Sequence, residues 1–240
     1  MKRLPVYLVS LSFFFVCRLS AQHDGWHVSV AALGGYTTTS KVFYNPDSPS
    51  SDIRSEYTSV DNIYGGGLEL RVGRSDDNFF LALKVEYLSK LQDQIQPVAY
   101  AGPPIPAPVK DGFRLTPVEL GVNMYIPLGT ENARLSMGGG IGAYYGKRIL
   151  SIAGVDAPQQ NHPVGIGIHV ESSFDYRVLR GVAVRGEMRF RDPEVTAENR
   201  FQGRSAIYNG NTIPFPTSAF RTRINVNGLM FGLGIVVDLL

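Results

Sequence analysis

Eight segments of the chain alternate between apolar and polar residues with a period of two, the signature of half-buried strands rather than helices. They run over 26–36, 62–74, 79–91, 113–127, 134–146, 164–177, 181–191 and 223–239. On each, a run of positions on one face is apolar or glycine: Tyr64, Gly66, Leu68, Leu70 and Val72 on the second, and Leu229, Phe231, Leu233, Ile235, Val237 and Leu239 on the eighth. The opposite face carries the charges: Glu69, Arg71, Lys84, Glu86, Glu119, His169, Glu171, Asp175, Arg185, Glu187, Arg189, Arg191 and Asp238. Leu33, Phe80 and Leu88 break the pattern by falling on the charged face. Pro117, which has no N–H for a ladder, marks a bulge or the loop end of the fourth strand.

The connections between these segments alternate in length. Those at 75–78, 129–132 and 178–180 are tight, whereas those at 37–61, 92–112, 147–163 and 192–222 are long. This predicts an all-β chain: an eight-stranded antiparallel up-and-down transmembrane β-barrel with four long outer loops and three short periplasmic turns. Two sets of aromatics on the apolar face support a bilayer. Tyr36, Tyr64, Tyr87, Tyr145 and Phe190 lie towards the long loops; Trp26, Phe79 and Tyr176 lie towards the short turns. Ten residues from Trp26 to Tyr36, at ~3.3 Å each and tilted ~40°, cover about 25 Å, the height of the apolar band of such barrels. The eight are therefore expected to form girdles at the two membrane interfaces. The competing fold is a soluble eight-stranded barrel with its apolar face inward around a ligand; the loop alternation and the two aromatic heights favour the membrane.

Met1-Lys2-Arg3, the apolar run from Leu4 to Cys17 and the small residues before Gln22 read as a cleaved signal over 1–21, leaving 22–240 as the barrel domain. The apolar run is too short to span a bilayer as a helix, and no later run is long enough. Loss of Lys2, Arg3 and Arg18 takes the 23 basic residues to 20, against 21 acidic ones. No basic excess remains to recruit nucleic acid. The one cysteine, Cys17, leaves with the signal, so disulfides are not expected to hold the mature chain.

Thr116-Pro117-Val118-Glu119-Leu120-Gly121-Val122, Gly138-Gly139-Gly140-Ile141-Gly142-Ala143-Tyr144-Tyr145, Arg185-Gly186-Glu187-Met188-Arg189-Phe190-Arg191-Asp192 and Asn227-Gly228-Leu229-Met230-Phe231-Gly232-Leu233-Gly234 resemble segments of the small outer-membrane β-barrel superfamily, the OmpA-like, OmpX-like and OmpW-like barrels. The resemblance runs over 26–240. It implies an outer-membrane location in a Gram-negative bacterium, outer-membrane lipid as surroundings, and the barrel assembly machinery as a partner during biogenesis. One departure is the ending Val237-Asp238-Leu239-Leu240, where the family usually finishes on an aromatic ring. No peptidoglycan-binding module is expected after the last strand.

An eight-stranded barrel is only wide enough for its own side chains to fill. Glu69, Arg71, Lys84, Glu86, Glu119, Glu171, Arg185, Glu187 and Arg189 are therefore expected to pair inside it and close the lumen, since unpaired buried charge is costly. Interleaved acids and bases argue against catalytic carboxylates. His27 and Ser29 share an inward face near the periplasmic end, the only hint of a hydrolase, and no third group is evident. His23, His27, His162 and His169 lack metal-ligand spacing. We therefore expect no enzyme, no cofactor and no metal, and a monomer with a structural or surface-interaction role. A narrow channel for small hydrophobic solutes is the alternative, a lipid-modifying hydrolase the remoter one. In the loop 192–222, Arg200, Arg204, Arg221, Phe201, Phe215 and Phe220 are candidates to meet lipopolysaccharide or a partner.

Overall fold

The computed structural model describes residues 25–74, 76–98, 103–130 and 132–239; the expected signal over 1–21 lies outside them. The strands are β1 (Trp26–Phe43), β2 (Tyr57–Arg74), β3 (Phe79–Val98), β4 (Ile105–Ile126), β5 (Ala133–Ile152), β6 (Val155–Asp156), β7 (Val164–Leu179), β8 (Val182–Arg191), β9 (Glu194–Asn199), β10 (Ser205–Tyr208), β11 (Asn211–Pro214), β12 (Phe220–Asn225) and β13 (Leu229–Asp238). One short helix, α1 (Ser51–Ser55), lies between β1 and β2. Strands β1, β2, β3, β4, β5, β7, β8 and β13 pair antiparallel in that order, and β13 returns to β1 to close an eight-stranded ring. Closure leaves no strand edge open within the ring, the condition for placing a sheet in lipid. No helix among the described residues is long and apolar enough to cross a membrane.

The alternation acts here through the pleat, which sends successive side chains to opposite sides of the wall. Leu68, Leu70, Leu81, Leu83, Leu120, Val122, Ile141, Ile166, Ile168, Leu233 and Ile235 all stand on the outside. Ile166 is 78% and Leu233 72% exposed, a degree of apolar exposure that a wall facing water would not sustain.

The connections correct the sequence reading. The tight turns fall where expected, but the long loops are largely strand. β1 runs to Phe43 rather than 36, β3 to Val98 rather than 91, β5 to Ile152 rather than 146, and β4 begins at Ile105 rather than 113. The segment 192–222 holds β9, the β10–β11 hairpin and the start of β12. β9 pairs with β12 and β12 with the outer end of β1, continuing the wall beyond β8 and β13. Asn209 and Gly210, at φ 48° and 77°, form the tight turn of β10–β11, and Asn-Gly is the pair that such a hairpin favours.

Pro117 sits in neither a bulge nor a loop end. On β4 it stays in register with Tyr144 of β5, but the β3–β4 ladder passes from Val85–Val118 to Leu88–Leu115 with nothing paired between. The spacing is equal on both strands, so there is no extra residue. The ladder is interrupted, as expected where the N–H is missing.

Candidate functional site

The lumen has two parts of opposite chemistry. In the half towards the short turns, β2, β3, β4, β7 and β8 turn charged residues inward because the apolar member of each alternating pair is drawn to the outside. Glu69, Glu86, Glu119, Glu171, Asp175 and Glu187 face Arg71, Lys84, Arg185, Arg189 and Arg191, and all eleven are buried. Arg185 is fully buried. Its Nε and Nη2 donate to the two oxygens of Asp175 at 2.5 and 2.7 Å, and its Nη1 to Glu69 Oε1 at 2.5 Å. Arg71 pairs with the same two carboxylates, donates to Ser173 Oγ at 3.1 Å and lies 4.6 Å above the ring of Phe80. This explains one apolar exception in the pattern: Phe80 covers a guanidinium.

Lys84 Nζ occupies the middle of the network, 2.8 Å from Glu69 Oε2, 2.9 Å from Glu187 Oε2, and in contact with Glu171. Those three carboxylates lie close enough together to hold a metal ion. The ammonium already stands where a cation would. Arg189 joins the next layer, 2.7 Å from both Glu86 and Glu119, 3.3 Å from Glu171 and paired with Glu187. Arg191 closes it at 2.8 Å from Glu86 and 3.4 Å from Glu119.

Two members were not evident from the pattern. Tyr144 Oη donates to Glu119 Oε1 at 2.6 Å, and Ser173 Oγ bridges Arg71 and Ser136. The parity of β5 was the available signal for Tyr144, which follows Gly142 on the inward side. That glycine is required: a Cβ there would lie 2.8 Å from Glu119 Cγ and 3.0 Å from Tyr144 Oη. Asp238, on the charged face of the last strand, does not belong to the network. It stands at the periplasmic rim, 3.3 Å from His27 Nε2 and partly exposed, because the wall ends there. Ser29 is buried nearby, but among the described residues no hydrogen bond joins it to His27. His169 is buried beside the upper layer.

Towards the long connections the lumen turns apolar. Val42, Val60, Ile63, Leu88, Phe113, Leu115, Tyr144, Val195, Ile224 and Val226 pack into one cluster across it. A second cluster above holds Val98, Val109, Leu150, Ile152, Phe201, Ile213 and Phe215. Phe201 and Phe215 stack at 4.3 Å between centroids, and Phe220 packs on Phe201 at 5.4 Å. These rings, expected at a surface, instead help fill the outer mouth. Arg221 is paired with Asp47 at 3.1 Å, while Arg200 and Arg204 are exposed. One ion pair, Arg148 with Asp111, lies within this apolar half; Arg148 Nη1 also donates to Gly112 O at 2.7 Å. Tyr44, just past β1, donates to Asp111 at 3.0 Å; burial, and secondly that carboxylate, push its phenol above the ordinary value.

Of the expected girdle residues, Trp26, Tyr64, Phe79, Tyr87, Tyr145, Tyr176 and Phe190 stand exposed on the outer wall. Tyr36 is half-buried against Tyr64, 5.5 Å between centroids, and donates to Asn62.

A closed antiparallel ring with an apolar exterior and a charged interior defines a transmembrane β-barrel of the small outer-membrane type. The outer-membrane protein OprG from Pseudomonas aeruginosa has the same fold, at TM-score 0.60 and 13% identity over 90% of this chain and 96% of that one. The attachment invasion locus protein Ail of Yersinia pestis (TM-score 0.46, 12% identity, 90% and 99% covered) and Neisserial surface protein A (0.42, 14%, 88% and 96%) also match. No protein-family model and no curated sequence matches the chain.

Proposed function

We propose that the protein is a closed, non-enzymatic barrel that anchors a rigid outer surface in the outer membrane and works through that surface rather than through its lumen. The observation that carries this reading is the three-layer ionic network of Arg185, Lys84 and Arg189, which spans the lumen in a barrel too narrow for a water column beside it. Its carboxylates each face a cation, so none is left as a free base, and His27 lacks a link to Ser29. Trp26, Phe79 and Tyr176 serve at the inner interface, and Tyr36, Tyr64, Tyr87, Tyr145 and Phe190 at the outer, where amphipathic rings are favoured. Purified barrels in planar bilayers should give no steady conductance. Large, stable, ion-selective steps would overturn the closed lumen.

A second reading is favoured by one feature. The interrupted β3–β4 ladder at Thr116 and Pro117 lies at the boundary between the charged and apolar halves of the lumen. A small apolar solute that displaced the rings at the outer mouth could leave sideways into the bilayer there, without crossing the charges. Pro117→Ala would let the ladder close and should slow uptake of such a solute into proteoliposomes; unchanged uptake would remove this reading.

A further inference from the structure

Arg114 of β4 and Lys147 of β5 stand directly opposite each other on the outer wall, both exposed. Like charges placed directly across a ladder destabilise it. No ion pair among the described residues offsets this pair. The outward positions around them are Ser89, Thr116, Tyr145 and Ile149, none of them acidic. The outward acid on the same ladder, Asp93, lies two rows higher, across from Lys110.

Their depth identifies what they meet. Phe79, Met124 and Met137 lie side by side near the short turns. Arg114 is ten residues above Met124 on its strand, and Lys147 ten above Met137. At ~3.3 Å per residue and ~40° tilt this is about 25 Å, the full height of the apolar band. The two cations therefore stand just where hydrocarbon gives way to outer-leaflet headgroups, beside Tyr145. Next to Lys147 an open groove of about 510 Å³ is walled by Tyr145, His162, Pro163 and Val164, a ring-lined surface on which a sugar can pack, while the Gln159 and Asn161 amides beside it are held by backbone groups.

We propose that Arg114 and Lys147 hold a phosphate of an outer-leaflet glycolipid, the phosphorylated disaccharide of lipid A, with its sugar against the groove beside Lys147. A phosphate between the two cations turns their repulsion into two charge-assisted contacts. The lipid contact then lies on the barrel wall, not in the loop 192–222, where Arg221 is already paired. This site is independent of whether the lumen conducts.

The refolded barrel in neutral detergent is titrated with bisphosphorylated lipid A, its dephosphorylated form and phosphatidylglycerol, with bound lipid counted by native mass spectrometry. Wild type should hold bisphosphorylated lipid A at least about tenfold more tightly than its dephosphorylated form, as two cations worth about 1 kcal/mol each at a charged surface imply, and more tightly than phosphatidylglycerol, which lacks the sugar. The pair Arg114→Gln and Lys147→Gln should abolish the preference, while Arg114→Lys with Lys147→Arg should keep it. Arg200→Gln with Arg204→Gln should leave it unchanged. Equal binding of the dephosphorylated lipid by wild type, a result that needs no variant, would overturn the proposal. So would full preference in the Gln pair, or equally tight binding of phosphatidylglycerol.

Discussion

The two halves of the lumen are built on the same strands and obey opposite rules. On β4, Glu119 and Asn123 point inward while Leu120, Val122 and Met124 point to lipid. A few residues further out on the same strand, Val109, Phe113 and Leu115 point inward while Lys110 and Arg114 point outward. The pleat does not change; the solvent does. Within the bilayer the wall must be apolar outside, which leaves the polar residues to the interior. Beyond it the wall meets water, and the interior can be packed like that of any soluble domain. The charged half is thus held by geometry, since each ion depends on several partners, and the apolar half by area and fit.

That difference can be broken experimentally. The largest effect should come from Arg189→Met, which leaves Glu86, Glu119, Glu171 and Glu187 around an uncharged side chain. Removing one partner from a buried ionic set costs about 3–5 kcal/mol, and here four partners are stranded, so the upper end is expected in urea unfolding from lipid vesicles. A loss below 1 kcal/mol would mean water fills this half. Phe113→Ala, in the apolar half, should cost about 3 kcal/mol through lost burial and a residual cavity. Phe113→Leu should recover most of it, whereas no apolar residue should rescue Arg189.

The smallest effect is a pH dependence. The raised phenol of Tyr44 favours its neutral form in the folded chain. Its contribution is full below the ordinary tyrosine value near 10 and is lost as pH rises through the higher folded value. Tyr44→Phe should cost about 1 kcal/mol or less at pH 8 and should flatten part of the fall in stability above pH 10. An unchanged alkaline profile would show that Tyr44 is not held as described.

The boundary between the halves also marks how far the sequence could be read. An alternation with the apolar side outward identifies every strand within the bilayer, and with it the inward set from Glu69 to Arg191. The same rule ends each strand early, because beyond the membrane the apolar residues change sides. Residues 105–112 and 147–152 therefore look like loop, and Arg148, Asp111 and the Phe201–Phe215 stack were out of reach. Leu88 was the visible warning: an apolar residue on the charged face, it is the first of the apolar cluster. Which acid meets which base depends on the curvature of the closed ring, and no linear pattern encodes it.

The ionic network joins residues far apart in the chain: Lys84 to Glu187, Arg71 to Asp175, Arg185 to Glu69. No single hairpin contains such a set, so a partly assembled sheet would carry bare charges wherever it met hydrocarbon. Local pairs such as Arg71–Glu69 and Arg185–Asp175 form within a strand or hairpin, but neutralisation is complete only when β7 and β8 have curved round to face β2 and β3. Entry into the bilayer and closure of the ring are thereby tied into one cooperative event, with the slow, long-range step placed before any strand can rest in lipid.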